Sequence, residues 1–285
     1  MAHSNTKPTQ VHFTLFTTFF LLLLNKVNSS ANELSFTINK FFPNQKDLLF
    51  QGDASVNLTG VLQVTKVLEN GEPSPSSVGR ARYIAPIQIW DSTTGRVASF
   101  TTSFSFIVRA SNNSIADGLA FFLAPPDSEI PSDWLSRFLG LFSSPSYNSS
   151  YQIVAAEFDT YFHSPWDPNY RHIGIDVNII NSITTARWDC RNGEVANVII
   201  TYRAPTKTLT IDLSYPFDQT SAIVTGYVDL KEVLPEWVNV GFSAATGRYN
   251  FETHEILSWS FNTYWEDGSD DIAIENDMNV AARTA

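Results

Sequence analysis

From Phe100 to Val108 the chain reads Phe-Thr-Thr-Ser-Phe-Ser-Phe-Ile-Val. This alternation sets Phe100, Phe104 and Phe106 on one face of a half-buried β-strand and leaves the other face rich in hydroxyls. The same two-residue period returns at 34–38, 238–242 and 256–261, and at 198–202 and 209–213, which a turn at 204–207 joins into a hairpin. No segment sustains a 3.6-residue period, and only 132–138 and 230–234 admit short helical turns. Many short strands punctuated by Gly, Pro, Asn and Ser predict an all-β protein, a jelly-roll β-sandwich forming a single domain. The composition agrees: 13% of residues are aromatic, 21 of them Phe, and only 16% are charged.

Residues 1–30 read as a secretory signal peptide, with Lys7 before the apolar run 13–24 and the small Ser29, Ser30 and Ala31 after it. That run is well short of the roughly 20 residues a spanning helix needs. No other segment approaches that length, so no membrane span is expected. Residues 31–265 form the predicted domain. The acidic tail 266–285 loses the aromatic alternation and is expected to be disordered or processed away. Asn57, Asn112 and Asn148 open glycan-acceptor sequons suited to a secreted chain. Cys190 is the only cysteine, which rules out an internal disulfide, so stability must come from a large core with help from metals; a buried structural thiol is expected. The formal charge of −11 argues against nucleic acid or an anionic membrane as partner.

Chemistry concentrates between Val154 and Asn178. A strand through 155–161 would put Glu157, Asp159 and Tyr161 on one face. A loop punctuated by Pro165 and Pro168 carries Asp167, and a second strand brings in His172. An imidazole with carboxylates suits a transition metal such as manganese, whereas carboxylates, a carbonyl and waters suit calcium. With Asp159 and Asp167 bridging, Glu157 and His172 complete one site and the Tyr161 carbonyl the other. The alternative is an acidic, solvated hairpin.

At these residues the chain resembles the legume lectins, whose Glu-x-Asp-x-(Phe or Tyr)-x-Asn segment is followed by an Asp and then His-Ile-Gly-Ile-Asp. Glu157, Asp159, Tyr161, Asp167 and His172 match in order, and the likeness extends through 46–54, 77–81, 116–122, 139–142 and 241–247. The resemblance implies one manganese and one calcium ion beside a sugar pocket, with Ser182 orienting a metal-bound water. It assigns Asp117 to accept from sugar hydroxyls, the backbone at Arg137 to donate, Tyr161 to stack, and the loop Gly247-Arg248-Tyr249 to set specificity. It also implies a cis peptide at Ala116-Asp117, a homodimer or homotetramer joined through the edge at 34–38, and an extracellular or vacuolar destination.

One position departs from the pattern: His163 stands where the family has the Asn that ligates calcium through its oxygen and donates to the sugar through its nitrogen. Imidazole offers calcium only a nitrogen, so sugar binding is expected to be weakened, altered or lost. Ser164 or a water compensating in an active lectin is the alternative, and a storage or defence protein without sugar binding is a third. Glycosidase chemistry fits poorly. A retaining enzyme needs two carboxyls roughly 5–5.5 Å apart, and Tyr161 occupies the place of the second Glu in the Glu-x-Asp-x-Glu motif of jelly-roll glucanases. There is no Gly-x-Ser-x-Gly elbow. His254 reads as a solvated loop residue, and Trp259 and Phe261 read as core. No enzymatic activity is expected.

Overall fold

The computed structural model describes residues 33–111, 115–216 and 221–265. The signal peptide 1–30, the tail 266–285 and the Asn112 acceptor lie outside the described residues. The strands are β1 (Ser35–Ile38), β2 (Leu48–Gly52), β3 (Ser55–Val56), β4 (Leu62–Gln63), β5 (Val78–Tyr83), β6 (Ile87–Gln88), β7 (Ser99–Arg109) and β8 (Gly118–Ala124). They continue as β9 (Val154–Asp159), β10 (His172–Val177), β11 (Thr184–Arg187), β12 (Val195–Arg203), β13 (Thr208–Ser214), β14 (Ser221–Tyr227), β15 (Trp237–Ala245) and β16 (Thr253–Tyr264).

These strands form two antiparallel sheets. The back sheet runs β14-β13-β12-β7-β16-β4-β3, with β1 also on β16; the front sheet runs β11-β10-β9-β8-β15-β5-β2, with β6 also on β15. Residues 34–38 therefore do lie at a sheet edge, since β1 pairs only with β16. Among the described residues helix is confined to α1 (Leu230–Val233) and two 3-10 turns, Ser136–Phe138 and Ser149–Tyr151. The second turn escaped the sequence reading because its signal is a single cap, Asn148 Oδ1 accepting from Ser150 N at 3.0 Å.

Aromatic rings fill the space between the sheets. Phe104 of β7 lies 4.9 Å from Phe242, 5.9 Å from Phe158 and 6.0 Å from Phe121, all on the front sheet. Such ring pairs contribute about 0.5–1.5 kcal/mol each beyond their area burial. Trp259 sits in this core with its indole N–H donating to Thr102 Oγ1 at 3.0 Å, and Phe261 lies beside it, as expected. Cys190 is buried, and desolvation pushes its thiol far up from its ordinary value.

The sheets differ in what covers their outer faces. β7 alternates buried and half-exposed residues along nearly its whole length, whereas every residue of β8 and β9 is buried. A second apolar cluster explains the difference: Phe138, Leu139, Leu141 and Phe142, from the loop after β8, close over Ala120, Phe122 and Ala155 on the outer face of the front sheet. Glu157 and Asp159 continue that covered face toward the end of β9.

The expectation for His254 is corrected. It is fully buried on β16, with Nδ1 2.9 Å from Thr65 Oγ1 and Nε2 2.9 Å from Glu252 Oε1. A register shift between Ile256 and Ser258 reverses the side-chain parity of the strand. Counting back by twos from Trp259 and Phe261 therefore puts His254 outside, and the bulge turns it in.

Candidate functional site

The site lies where β8, β9 and β10 end. β9 and β10 pair so that His172 faces Asp159 and Gly174 faces Glu157, while Gly118 of β8 also pairs with Asp159. Gly118 has φ +129°, and a Cβ there would collide with the Phe158 carbonyl oxygen, so only glycine lets β8 approach β9 this closely. Gly174 leaves room for Ser182, whose hydroxyl oxygen lies 3.1 Å from Glu157 Oε2 and 2.6 Å from Asp176 Oδ1 and shares its one proton between them. Ser182 thus holds two buried carboxylates.

Asp159, Asp167 and His172 each offer a ligand atom, and these atoms all lie within 4.8 Å of one another. Glu157 Oε2 stands 3.5 Å from His172 Nε2. Burial, then the charges of Glu157 and Asp167, holds the Asp159 carboxyl well above the usual carboxylate range. Burial and Glu157 push Asp167 up to about 6, against the pull of the His163 N–H that it accepts at 2.6 Å. At His172, burial lowers the imidazole, but the hydrogen bond and charge of Glu157 outweigh it and the net direction is up. This is how anionic donors crowded into a small volume behave when no cation balances them. Asp159 Oδ1 is moreover buried without a hydrogen-bond partner. Two carboxylates and one imidazole therefore fit a divalent metal by donor type and by placement, with Glu157 beside His172.

Two expectations about this site change. Tyr161 does not share the buried face of Glu157 and Asp159: the strand ends at Asp159, and Tyr161 lies beyond it, 40% exposed and stacked on Phe162 at 6.1 Å. His163 does not bring its ring to the donor cluster. A ligand loop must choose which atoms face the ion, and here the backbone does the closing, His163 N donating to Asp167 Oδ2 and Asp167 N to His163 O at 3.1 Å. The freed imidazole turns the other way, its Nε2 3.0 Å from Asp117 Oδ1. A carboxylate only accepts, so Nε2 carries the proton.

Of the expected sugar-site residues, His163 and Gly247 lie against Asp117. It follows a cis peptide at Ala116-Asp117, is buried, and keeps Oδ2 without a partner. A Cβ on Gly247 would lie 3.6 Å from that oxygen, which places the 247–249 loop against Asp117. Within the loop, Arg248 lies over the ring of Tyr249, itself 81% exposed. Arg137 sits on the Ser136–Phe138 turn with its guanidinium over Phe138 at 5.2 Å and over Trp166 at 5.7 Å. Trp166 also stacks on His163 at 6.1 Å. The sequence reading missed Trp166; an aromatic wedged between Pro165 and Asp167 was its only local signal.

The fold and the site together describe a two-sheet β-sandwich that carries a carboxylate–imidazole cluster beside the loops 160–167 and 247–249. The legume lectin domain, as a family, matches residues 33–276. The chain belongs to the legume lectin family. It is 63% identical over 289 residues to the bark leucoagglutinin of Maackia amurensis, spanning 100% of both chains. Among solved structures, lectin UEA-II complexed with galactose is 62% identical, with a TM-score of 0.78 over 82% of this chain and 99% of that one. Arcelin-5, a lectin-like defence protein from Phaseolus vulgaris, is 37% identical with a TM-score of 0.75, over 83% of this chain and 100% of that one. Legume lectins are carbohydrate-binding proteins rather than enzymes, and they typically bind calcium and a transition metal. No helix among the described residues is long and apolar enough to cross a membrane.

Proposed function

We propose that this protein is a secreted legume-lectin-type protein whose sugar binding is weakened or altered by His163. The observation that carries the reading is the contact of His163 Nε2 with Asp117 Oδ1 at 3.0 Å, because it occupies an oxygen that the family uses to accept from sugar hydroxyls. Glu157, Asp159, Asp167 and His172 would hold manganese, and Asp159, Asp167 and the Tyr161 carbonyl would hold calcium with waters. When bound, the ions supply positive charge that keeps these carboxylates ionised and ties the 160–167 loop to β9 and β10. Asp117 accepts from the sugar, the Arg137 backbone donates, Tyr161 stacks, and Gly247, Arg248 and Tyr249 form the specificity loop.

A second reading, a fully active lectin with Ser164 or a water in place of the missing amide, is favoured by Asp117 Oδ2, which is buried and still free to accept. The likeness to arcelin-5 supports a third, a defence or storage protein without sugar binding. The measurement that separates them is a glycan array on the unmodified protein and on His163→Asn. The substitution frees Asp117 Oδ1 and adds an amide that both ligates calcium and donates. Binding should strengthen about tenfold, since each 1.4 kcal/mol is a factor of ten. Tight, calcium-dependent binding by the unmodified protein, undiminished in Ser164→Ala, would show that His163 is harmless.

The remaining parts of the reading concern the whole molecule. Residues 1–30 direct the chain into the secretory pathway, residues 266–285 are trimmed, and the destination is extracellular or vacuolar. Asn57 and Asn148 carry glycans: in both, the amide oxygen already accepts from its own sequon, at 2.8 Å from Thr59 Oγ1 and 2.7 Å from Ser150 Oγ. The nitrogen, where a glycan attaches, is left for modification. Copies join through β1 into a homodimer or homotetramer, which also removes an open sheet edge.

A further inference from the structure

Beside the pocket lies a buried polar chain that none of the roles above uses. Glu252 Oε1 accepts from Thr160 Oγ1 at 2.6 Å and faces His254 Nε2 at 2.9 Å; His254 Nδ1 faces Thr65 Oγ1 at 2.9 Å. All four residues are at most 1% exposed. Glu252 Oε2 has no hydrogen-bond partner among the described residues, so the carboxylate carries a desolvation cost that its bonds only partly offset. An apolar side chain of similar size would fill this space without that cost. What a carboxylate adds is direction: it fixes the hydroxyl of Thr160.

Thr160 is the residue between Asp159 and Tyr161. Each of its polar groups is tied down: N donates to the Asp117 carbonyl at 3.2 Å, its own carbonyl accepts from Arg171 Nε at 3.0 Å, and its hydroxyl goes to Glu252. One threonine whose side chain points away from the pocket thus sets the exit of β9 and the backbone of Asp117 together. The anchor for that threonine comes from the back sheet, since His254 lies on β16 and its carbonyl accepts from Val64 N at 2.9 Å.

We infer that Glu252 and His254 are positioning residues, which hold the metal loop and Asp117 in register through Thr160 without touching either ion or sugar. The inference rests on the metal and sugar site proposed above. The test uses the full-length protein, stripped with chelator and titrated calorimetrically with manganese and then calcium. Glu252→Ala should weaken calcium binding about tenfold to a hundredfold, the usual range for partners that orient ligands. Glu252→Gln, which keeps one acceptor oxygen, should stay closer to the unmodified protein. Thr160→Val removes only the hydroxyl while keeping the shape; it should reproduce the loss, and it serves should Glu252→Ala fail to fold. Gln also fills the volume of Glu, so Thr160→Val is the discriminating variant: a purely space-filling role predicts no loss of calcium affinity there, because valine keeps the shape and removes only the hydroxyl that donates to Glu252. Folded Thr160→Val with unchanged calcium affinity would overturn the inference while leaving the site intact. Absence of any metal binding by the unmodified protein would overturn both.

Discussion

β7 and β9 face each other across one core, yet they are strands of different kinds. β7 buries Phe100, Phe104 and Phe106 and turns Thr101, Ser103 and Ser105 toward its half-exposed face. β9 sends Val154, Ala156 and Phe158 into the same core, but its other face carries Ala155, Glu157 and Asp159, all of them buried too. The apolar loop 138–142 covers Ala120, Phe122 and Ala155 on the outer face of the front sheet, and Glu157 and Asp159 lie further along that same buried face. Stability is concentrated on the inner faces of both strands, and chemistry on the outer face of one.

The strongest test of that division is Phe106→Ala. Phe106 is 1% exposed and lies 5.3 Å from Phe158, so the substitution should cost about 3–5 kcal/mol in denaturant unfolding. Metal affinity of the surviving folded fraction should stay unchanged. On the outer face, Asp159→Asn should do the reverse, lowering metal affinity by about a hundredfold or more, since even orienting partners are worth tenfold to a hundredfold. It should leave the metal-free protein at pH 7 as stable as before or more so, because burial and two neighbouring acids disfavour the charge that the substitution removes. Calorimetry and melting of one preparation read both quantities, and a destabilised metal-free Asp159→Asn would erase the distinction between the faces.

The pH response sharpens it further. Asp167 binds its proton more tightly in the metal-free fold, at about 6, than in an unfolded chain, at about 3.9. The folded state therefore holds more protons between these values, and its stability declines as pH rises from about 4 to about 6. Metals need the ionised form, so their affinity climbs over the same window. The melting-temperature difference between metal-loaded and chelated protein should be small near pH 5, grow as pH rises through about 6, and go on growing above about 6.5 as His172, shifted upward, gives up its proton; a constant difference would exclude Asp167 from the site. The smallest effect belongs to the outer face of the back sheet. Ile199 is 52% exposed there, and Ile199→Thr should change stability by less than about 0.5 kcal/mol.

This contrast also explains what could be read from the amino acids alone. Alternation exposes β7 and β12 directly because one face of each meets water. Glu157 and Asp159 stand out because acids inside an otherwise apolar strand require a counter-charge, and the family pattern orders them. His254 misleads because a bulge two residues on reverses its side. Glu252 and Thr160 are 92 positions apart, and Arg137 and Trp166 meet only when two loops fold onto the same turn. Contacts of that reach leave no local period to find.

On the function proposed above, the imidazole that lies 3.0 Å from Asp117 Oδ1 would act as a tethered competitor for the place of a sugar hydroxyl. Occupancy then depends on how often the ring swings away: an apparent dissociation constant rises in inverse proportion to the open fraction, while the number of sites stays the same. A ring absent a tenth of the time makes each encounter about ten times weaker without closing the pocket. Free monosaccharide would register little, whereas a surface dense in the same sugar, engaged by linked copies, would recover the loss through effective concentration. For such a molecule, crowding of the glycan decides binding as much as its identity does.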